Sequence, residues 1–406
     1  MTHLLEKYSH KILHQTWTTL FFPFYLVDEL LKYLMNKNDR QQAVDYGLMK
    51  TFNLEQLVRP NIWALKPYSS ARDEFVIEED ETHALTFLDA NENPLGSVGN
   101  APNNRYPDPY QRQLKQTLSK VKQVAEERIF LGNGSDEAVD LLFRVFCTPG
   151  QDKILITPPT YGMYQVSADI NHVGVDKILL NEDFSLPAEK ILVATQQEDY
   201  KMIFLCNPNN PTGNAIAPQE AFEKILTEYK GIVIIDEAYI DFAVFPSMVG
   251  LLDRYPNLVI LQTFSKAWGL ANLRLGMAFA SPEIIGLLNK VKPPYNINGL
   301  TQELGLKALQ HIAQKNAFVE EIHKQRAWLY AQLPQFDFVE KLYPSETNFI
   351  LFKTNDPQQL YDYLVKHQVI VRNRSTQPLC AGCLRISVGT ETENQRLIDL
   401  MKKFAV

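Results

Sequence analysis

The chain has 406 residues, of which 45% are hydrophobic and 21% are charged, and its formal net charge at pH 7 is −7. This acidic balance argues against a nucleic-acid-binding surface and is ordinary for a globular protein. Four cysteines in a chain of this length do not make a disulfide framework, and the eight histidines form no metal-ligand pattern, so we expect no bound metal.

The first 48 residues carry none of the patterns described below. Their apolar core, residues 20–27, is eight residues long and contains Pro23, so it is too short to span a bilayer. No small-residue cleavage site of a signal peptide follows it. We therefore expect a cytoplasmic protein with no membrane segment, whose native start is Met49 and whose first 48 residues are translated upstream sequence.

A glycine-rich turn at residues 129–137 leads into the helix-like pattern of residues 138–143. Ser135 or Asp136 can cap that helix, so the free N–H groups at its start face an anion such as a phosphate. A simple helix cap in a turn would explain the same residues.

Apolar runs typical of buried strands recur through the middle of the chain, and helix-like patterns such as residues 218–229 lie between several of them. The predicted strands are residues 153–156, 202–206, 232–235, 258–261 and 275–280. This alternation predicts a largely parallel sheet flanked by helices, which is an α/β fold.

Two polar motifs follow neighbouring strands of this predicted sheet. Pro and Gly in residues 207–213 make a rigid turn that directs the Asn210 amide back toward the strand end. The next strand ends at Asp236, with Tyr239 close behind, where parallel sheets bind ligands. Asp236 can pair with a pyridine nitrogen, while Asn210 and Tyr239 can donate to a phenolic oxygen. Taken singly, these motifs are also typical of a plain turn, a helix cap or a metal ligand.

The most informative segment is residues 263–276, which follows another predicted strand. Lys266 becomes a nucleophile toward an aldehyde when a desolvated or cationic setting lowers its pKa. Ser265 and Arg274 are residue types that hold a phosphate. An aldehyde and a phosphate in one molecule indicate pyridoxal 5′-phosphate. Because a Ser-Lys pair is more often part of a solvated loop, this inference depends on all the motifs occurring together.

The prolines of residues 293–298 end any helix and mark the expected exit from a large domain. A long helical stretch, residues 300–333, then leads into a small α+β domain whose predicted strands are residues 349–352, 369–371 and 384–388. The core of the chain exceeds the size of a single hydrophobic core. The predicted parts are an extension (1–48), an arm with part of the small domain (49–88), a large domain (89–295) and a small domain (296–406).

Cys380 and Cys383 have the spacing of a redox or zinc motif. Cys147 and Cys206 lie far away in the sequence, and no pair of histidines is near. We expect plain reduced thiols beside a strand.

In their order along the chain, these motifs resemble the fold-type I pyridoxal-phosphate enzymes, the aspartate aminotransferase superfamily, from about residue 51 to the C-terminus. Five further segments are similar to those of the histidinol-phosphate aminotransferases: residues 65–72, 88–94, 105–109, 158–164 and 383–390. The resemblance implies a large domain with a mainly parallel sheet and a smaller α+β domain. It also implies exchange of an amino group between L-histidinol phosphate and 2-oxoglutarate, giving imidazole-acetol phosphate and L-glutamate in histidine biosynthesis.

The resemblance assigns roles to residues around the cofactor. In the family, the residue matching Lys266 binds the cofactor aldehyde covalently and shuttles a proton between the substrate carbon and the cofactor. Those matching Asp236, Tyr239 and Asn210 hold the ring nitrogen and O3′. The one matching Tyr161 stacks on the ring face.

Further residues hold the anions. The resemblance gives the cofactor phosphate to Ser135, Asp136, Ser265 and Arg274. The tyrosine matching Tyr106 reaches this phosphate from the neighbouring subunit, which implies a homodimer with shared active sites. Arg385 and Arg372 are expected to bind the phosphate or carboxylate of the substrate, because arginine forks suit both anions. Tyr68 is carried over as a further phosphate contact. Arg372 could instead be an ordinary edge-strand cation, with Arg374 as the neighbour that binds.

Other functions stay open at this point. A lyase that decarboxylates threonine phosphate uses almost the same scaffold and a similar substrate. An aromatic or aspartate aminotransferase is a second alternative. A transcription regulator with an aminotransferase-like domain would need a basic DNA-binding region that residues 1–48 do not supply. A catalytically dead binding protein is disfavoured because the full set of cofactor-binding residue types is present.

Overall fold

The computed structural model describes residues 52–68, 86–100 and 103–404. The predicted extension 1–48 and the predicted start at Met49 lie outside the described residues. So do residues 69–85 of the predicted arm.

A seven-stranded sheet lies at the centre of the described chain. Its strands are β1 (Ile129–Asn133), β2 (Lys153–Ile156), β3 (Gly174–Lys177), β4 (Met202–Cys206), β5 (Ile232–Asp236), β6 (Leu258–Thr263) and β7 (Leu275–Phe279). The order across the sheet is β1-β7-β6-β5-β4-β2-β3. Strands β3, β2, β4, β5 and β6 are parallel, whereas β7 runs antiparallel to both of its neighbours. The prediction of a largely parallel sheet is therefore confirmed, with one reversed strand that the sequence did not predict.

Helices cover both faces of this sheet because its central strands are apolar on both faces. In β4, Ile203 and Leu205 belong to one buried cluster, while Phe204 and Cys206 belong to another. Since successive strand residues point to opposite faces, the two clusters lie on opposite sides of the sheet. The helices of this part are α1 (Leu54–Leu57), α2 (Pro60–Trp63), α3 (Arg112–Lys122), α4 (Ser135–Phe146), α5 (Met163–Ile170), α6 (Ala188–Gln197), α7 (Gln219–Glu228) and α8 (Pro282–Val291).

The C-terminal part contains a second, antiparallel sheet with the order β10-β11-β9-β8. Its strands are β8 (Val339–Leu342), β9 (Phe349–Thr354), β10 (Arg372–Asn373) and β11 (Cys383–Ser387). The helices around it are α9 (Gly299–Leu309), α10 (Ile312–Gln332), α11 (Pro357–Lys366) and α12 (Glu391–Phe404). A separate apolar cluster fills the space between this sheet and the helices. The domain boundaries drawn from the sequence stay a prediction.

Two predicted elements differ from the structure. The helix predicted over residues 300–333 is two helices, α9 and α10, because the backbone of His311 leaves the helical region at ψ 36°. The strand predicted at residues 369–371 is wrong, and pairing with β11 begins only at Arg372. The reason is that the Val369 N–H instead closes α11 by donating to the Leu364 carbonyl, after Gln368 has turned to φ 62°.

Among the described residues, no helix is both long and apolar enough to cross a membrane. All four cysteines are free and buried. In the ranges that the structure describes, no group of three or more His, Cys, Asp or Glu side chains is placed to hold a metal ion.

Candidate active site

A cavity of about 540 Å³ opens at the carboxyl ends of β4, β5 and β6. Residues from both sheets line it, so segments far apart in the sequence meet there. Of the residues predicted to form a site, the cavity is lined by Ser135, Asp136, Tyr161, Asn210, Asp236, Tyr239, Ser265, Lys266, Arg274, Arg372 and Arg385.

Lys266 lies in the turn that follows β6, and its side chain is open to the cavity. Protein atoms nevertheless surround the amine closely enough that burial, followed by the positive charge of Arg385, lowers its pKa. The negative charges of Asp236 and Asp136 act in the opposite direction. The Lys266 Nζ lies 5.5 Å from the centroid of the Tyr239 ring. A lowered pKa makes more of the neutral, nucleophilic amine available near neutral pH.

Asp236 is the last residue of β5 and is only 4% exposed. Its Oδ1 accepts a hydrogen bond from the Ala238 N–H at 3.0 Å, and its Oδ2 accepts one from the Tyr164 hydroxyl at 2.7 Å. Burial raises the pKa of this carboxyl, while both hydrogen bonds lower it. A carboxylate fixed in this way can pair with a cationic ring nitrogen.

Asn210 follows β4 and Tyr239 follows β5, and the Asn210 amide and the Tyr239 hydroxyl approach each other beside the cavity. Asn210 Nδ2 lies 3.5 Å from the Tyr239 hydroxyl, and the Arg385 guanidinium donates to Asn210 Oδ1. The Phe349 ring lies under this group, with its centroid 5.2 Å from that of Tyr239 and 5.0 Å from Arg385 Cζ. Burial raises the pKa of Tyr239, so its hydroxyl remains a donor at neutral pH.

The start of α4 and the end of the β6–β7 connection lie side by side at the other end of the cavity. The Gly134 N–H donates to the Arg274 carbonyl at 2.8 Å, and the Arg274 guanidinium lies 3.5 Å from Asp136 Oδ2. A side-chain carbon at Gly276 would meet the Ser135 nitrogen at 2.1 Å, so only glycine permits this approach. A helix start beside an arginine is suited to a phosphate.

Two further predicted residues border this end. The Tyr161 hydroxyl donates to Asp136 Oδ1 at 3.1 Å, and burial together with that negative charge raises the pKa of Tyr161. The Ser265 N–H donates a hydrogen bond to the Thr263 hydroxyl oxygen at 3.1 Å, which fixes the turn that carries Lys266.

Two arginines of the second sheet, and a third that directly follows β10, complete the cavity. Arg372 and Arg385 are partners across β10 and β11, and Arg374 also lines the cavity. Burial and the neighbouring charge of Arg374 lower the pKa of Arg385 to about 10. Arg374 Nε is buried and has no hydrogen-bond partner among the described residues. The two positions between which the sequence left a choice, 372 and 374, are thus both at the cavity.

Two predicted residues do not line the cavity within the described part of this chain. Tyr106 is 49% exposed and stacks on Tyr295, with ring centroids 4.4 Å apart. Tyr68 is 71% exposed. Their assigned roles at a phosphate remain predictions, as do the individual roles of the residues that do line the cavity.

Sequence reasoning assigned no role to Tyr164 or Phe349. Tyr164 is the second residue of α5, whereas Tyr161 precedes that helix, so helical spacing does not relate the two rings. Phe349 starts β9 and looks like an ordinary core residue, because only the fold brings it under Tyr239 and Arg385.

Comparisons with known proteins agree with this geometry. A family model described as aminotransferase class I and II matches residues 88–400. The chain is similar to the histidinol-phosphate aminotransferase of Cytophaga hutchinsonii, with 55% identity over 353 residues, 87% of this chain and 99% of that relative.

Solved structures are similar as well. For the histidinol-phosphate aminotransferase of Clostridium acetobutylicum, the TM-score is 0.69 at 27% identity, covering 75% of this chain and 91% of that chain. For the Sinorhizobium meliloti histidinol-phosphate aminotransferase, which was solved in complex with pyridoxal 5′-phosphate, the TM-score is 0.68 at 22% identity, covering 78% of this chain and 90% of that chain. This last likeness is one of fold.

Proposed function

Since the chain belongs to the class I and II aminotransferase family and, within it, to the histidinol-phosphate aminotransferases, we propose that it exchanges an amino group between L-histidinol phosphate and 2-oxoglutarate. The products are imidazole-acetol phosphate and L-glutamate, and the exchange is a step of histidine biosynthesis. One observation carries the proposal: the Lys266 amine, with its lowered pKa, opens into the same cavity as the buried Asp236 carboxylate.

The residues of the cavity fit pyridoxal 5′-phosphate as cofactor. Asp236 offers a buried carboxylate held by two donors, which suits a protonated ring nitrogen. The glycine-dependent contact between Ser135 and Gly276 leaves a helix start facing Arg274, which suits the phosphate. The Lys266 amine, whose pKa is lowered, is suited to form the covalent link to the cofactor aldehyde. The cofactor thus accounts for a set of groups that a plain folded core would not need.

When bound, the cofactor supplies an aldehyde that takes up the amino group and a ring that withdraws electrons from the adjacent carbon. Asp236 holds a proton on the ring nitrogen by keeping its own negative charge beside it. With the cofactor bound, Lys266 Nζ would carry the proton between the substrate carbon and the cofactor. Asn210 and Tyr239 donate toward the ring oxygen, and Tyr161 covers the ring face.

Arg385 and Arg372 hold the anionic end of each substrate. Histidinol phosphate carries a phosphate ester where glutamate carries a carboxylate, so one site must accept both anions. A guanidinium fork can bind either in a bidentate manner. Arg374 adds a third positive charge on the same wall of the cavity.

We also propose a homodimer in which Tyr106 reaches the cofactor phosphate of the neighbouring subunit. The position of Tyr106 supports this, because it is half exposed and lies outside the cavity of its own chain. Tyr68, which is still more exposed, is proposed as a further contact to the substrate phosphate. A cytoplasmic location remains a prediction from the sequence.

A half-reaction tests the proposed function. Purified holoenzyme is mixed with histidinol phosphate in the absence of any keto acid, and the visible absorbance of the cofactor is followed. We expect stoichiometric conversion of the cofactor to its amino form, and reversal when 2-oxoglutarate is added. An unchanged spectrum would contradict the proposal. Release of carbon dioxide from threonine phosphate would replace it with the lyase.

A further inference from the structure

We propose that Tyr164 is a positioning residue for the reaction, whose hydroxyl holds the Asp236 carboxylate ionised and in the orientation that meets the cofactor ring nitrogen. The inference rests on the proposed function, because Asp236 meets a ring nitrogen only when the cofactor is bound. No role was assigned to Tyr164 by the sequence.

The hydrogen bonds of Asp236 leave its carboxylate a single orientation. Oδ2 accepts from the Tyr164 hydroxyl at 2.7 Å, and Oδ1 accepts from the Ala238 N–H at 3.0 Å. Each carboxylate oxygen has two acceptor positions. One position on each oxygen is therefore used by the protein, and the others remain for a ring N–H. Rotation of the carboxylate would break both bonds, so Tyr164 and Ala238 fix the plane of the group.

The Tyr164 ring is itself fixed by packing. Its accessible surface is 0%, and it stacks on Phe204 with ring centroids 4.8 Å apart. It also makes an edge-to-face contact with the Tyr161 ring, with centroids 5.6 Å apart and an angle of 83° between the ring planes. Tyr161 lines the cavity and is proposed to cover the cofactor ring. Tyr164 therefore contacts both Tyr161, proposed to cover the face of the cofactor ring, and Asp236, proposed to meet the nitrogen of that ring.

The Tyr164 hydroxyl also affects the pKa of Asp236. Burial raises the pKa of Asp236, and the Tyr164 hydrogen bond is the largest influence that lowers it, ahead of the Ala238 N–H. Of the charged groups facing Asp236, Lys266 lowers this pKa and Asp136 raises it. The neutral groups beside it, Cys206 and Tyr239, both have raised pKa values.

Loss of the hydroxyl would thus favour the protonated carboxyl. The proton shared between Asp236 and the ring nitrogen would then move toward Asp236, and the ring would withdraw electrons less strongly. The charge-assisted pair that anchors the cofactor would weaken at the same time.

The test compares wild-type holoenzyme with Tyr164→Phe, which removes only the oxygen and keeps the ring between Phe204 and Tyr161. The matched control is Tyr229→Phe, since Tyr229 is also buried and its hydroxyl donates to a backbone carbonyl, that of Tyr200, at 2.6 Å. Two quantities are measured: release of pyridoxal 5′-phosphate by equilibrium dialysis, and the protonation of the ring nitrogen by NMR of cofactor labelled there. Thermal unfolding of each apoprotein measures the purely structural cost.

We expect Tyr164→Phe to bind the cofactor about ten- to a hundredfold more weakly, as for loss of a hydrogen bond to a charged group. The ring-nitrogen signal should move toward that of an unprotonated pyridine. Tyr229→Phe should lower the unfolding temperature similarly and leave both cofactor measurements at wild-type values.

A double substitution separates the effect on Asp236 from any loss of protein stability. In an Asp236→Asn background, Tyr164→Phe should have little further effect on cofactor affinity, because the carboxylate through which Tyr164 acts is gone. Full additivity of the two substitutions, or a wild-type nitrogen signal in Tyr164→Phe, would overturn the inference. Failure of the wild-type protein to bind the cofactor would instead overturn the proposed function, and with it the basis of this inference.

Discussion

Arg372 and Arg385 are direct partners across the antiparallel strands β10 and β11. Side chains directly opposite each other lie on the same face of a sheet, and Arg374, two residues from Arg372, is the third arginine on the cavity wall. Like charges in this arrangement repel, and burial with this repulsion lowers the pKa of Arg385 to about 10. An anion bound among the three guanidinium groups would relieve the repulsion.

The first prediction concerns the shared anion site. Arg385→Lys should raise KM for histidinol phosphate and for glutamate about tenfold or more, because an ammonium cannot replace a bidentate fork. Steady-state kinetics with both substrates measure this. The absorbance of the bound cofactor should persist.

Arg396→Lys is the matched control for this substitution. Arg396 is an exposed residue of α12, and its guanidinium donates to the His367 carbonyl away from the cavity. Its replacement should leave both KM values unchanged. Unchanged KM values for Arg385→Lys would remove Arg385 from substrate binding.

The second prediction concerns the proton transfer. Lys266→Ala should lower turnover by at least about a hundredfold, because the variant lacks the amine that carries the proton. Single-turnover absorbance measures the chemical step, and circular dichroism checks that the fold is intact. Lys402→Ala, an exposed substitution on α12, serves as control. Retained transamination in Lys266→Ala would contradict the assignment.

The third prediction is a pH dependence of the apoprotein. The pKa of Lys266 is lowered from 10.5 in the folded state, so the unfolded state binds the proton more tightly. The free energy of unfolding therefore rises as the pH increases from the lowered pKa toward 10.5. Below that range the amine is charged in the folded state, and the folded protein is destabilised by the full cost of burying this charge.

Lys266→Met removes that cost. Apoprotein with this substitution should be more stable than the wild type at pH 7, and the difference should shrink as the pH approaches 10.5. Urea unfolding of both apoproteins across this range measures it. A difference in free energy of unfolding that stays constant with pH would show that the amine is not desolvated.

The fourth prediction tests the shared active site. Lys266→Ala and Tyr106→Ala homodimers should each have low activity. Hybrid dimers made by refolding a mixture should regain activity, because one site then combines a native Lys266 with a native Tyr106 from the partner. If Tyr106 served the cavity of its own chain, the mixture would stay as inactive as its parents.

Much of the site was predictable because its residues lie next to strong local signals. Asp236 ends an apolar β-branched strand, and Lys266 follows another, so both were placed at one edge of a parallel sheet. The structure brings them to one cavity. The family predicted from these motifs is confirmed by the comparisons, as is the fold class.

The remaining features depend on tertiary contacts. Strand β7 is as buried as the parallel strands of the sheet, so its hydrophobic pattern does not show that it runs antiparallel to β6 and β1. The role proposed for Tyr164 requires knowing that α5 packs against the end of β5, which no periodicity encodes. Tyr106 lies outside the cavity of its own chain, so the role predicted for it depends on a neighbouring subunit and not on the fold of one chain.

The most direct test of the central claim is chemical trapping at Lys266. Holoenzyme is treated with borohydride, which makes the link between cofactor aldehyde and lysine permanent, and the labelled peptide is mapped by mass spectrometry. We predict a single phosphopyridoxyl label on Lys266. A label on another amine, or no label in protein that retains its fold, would contradict the account.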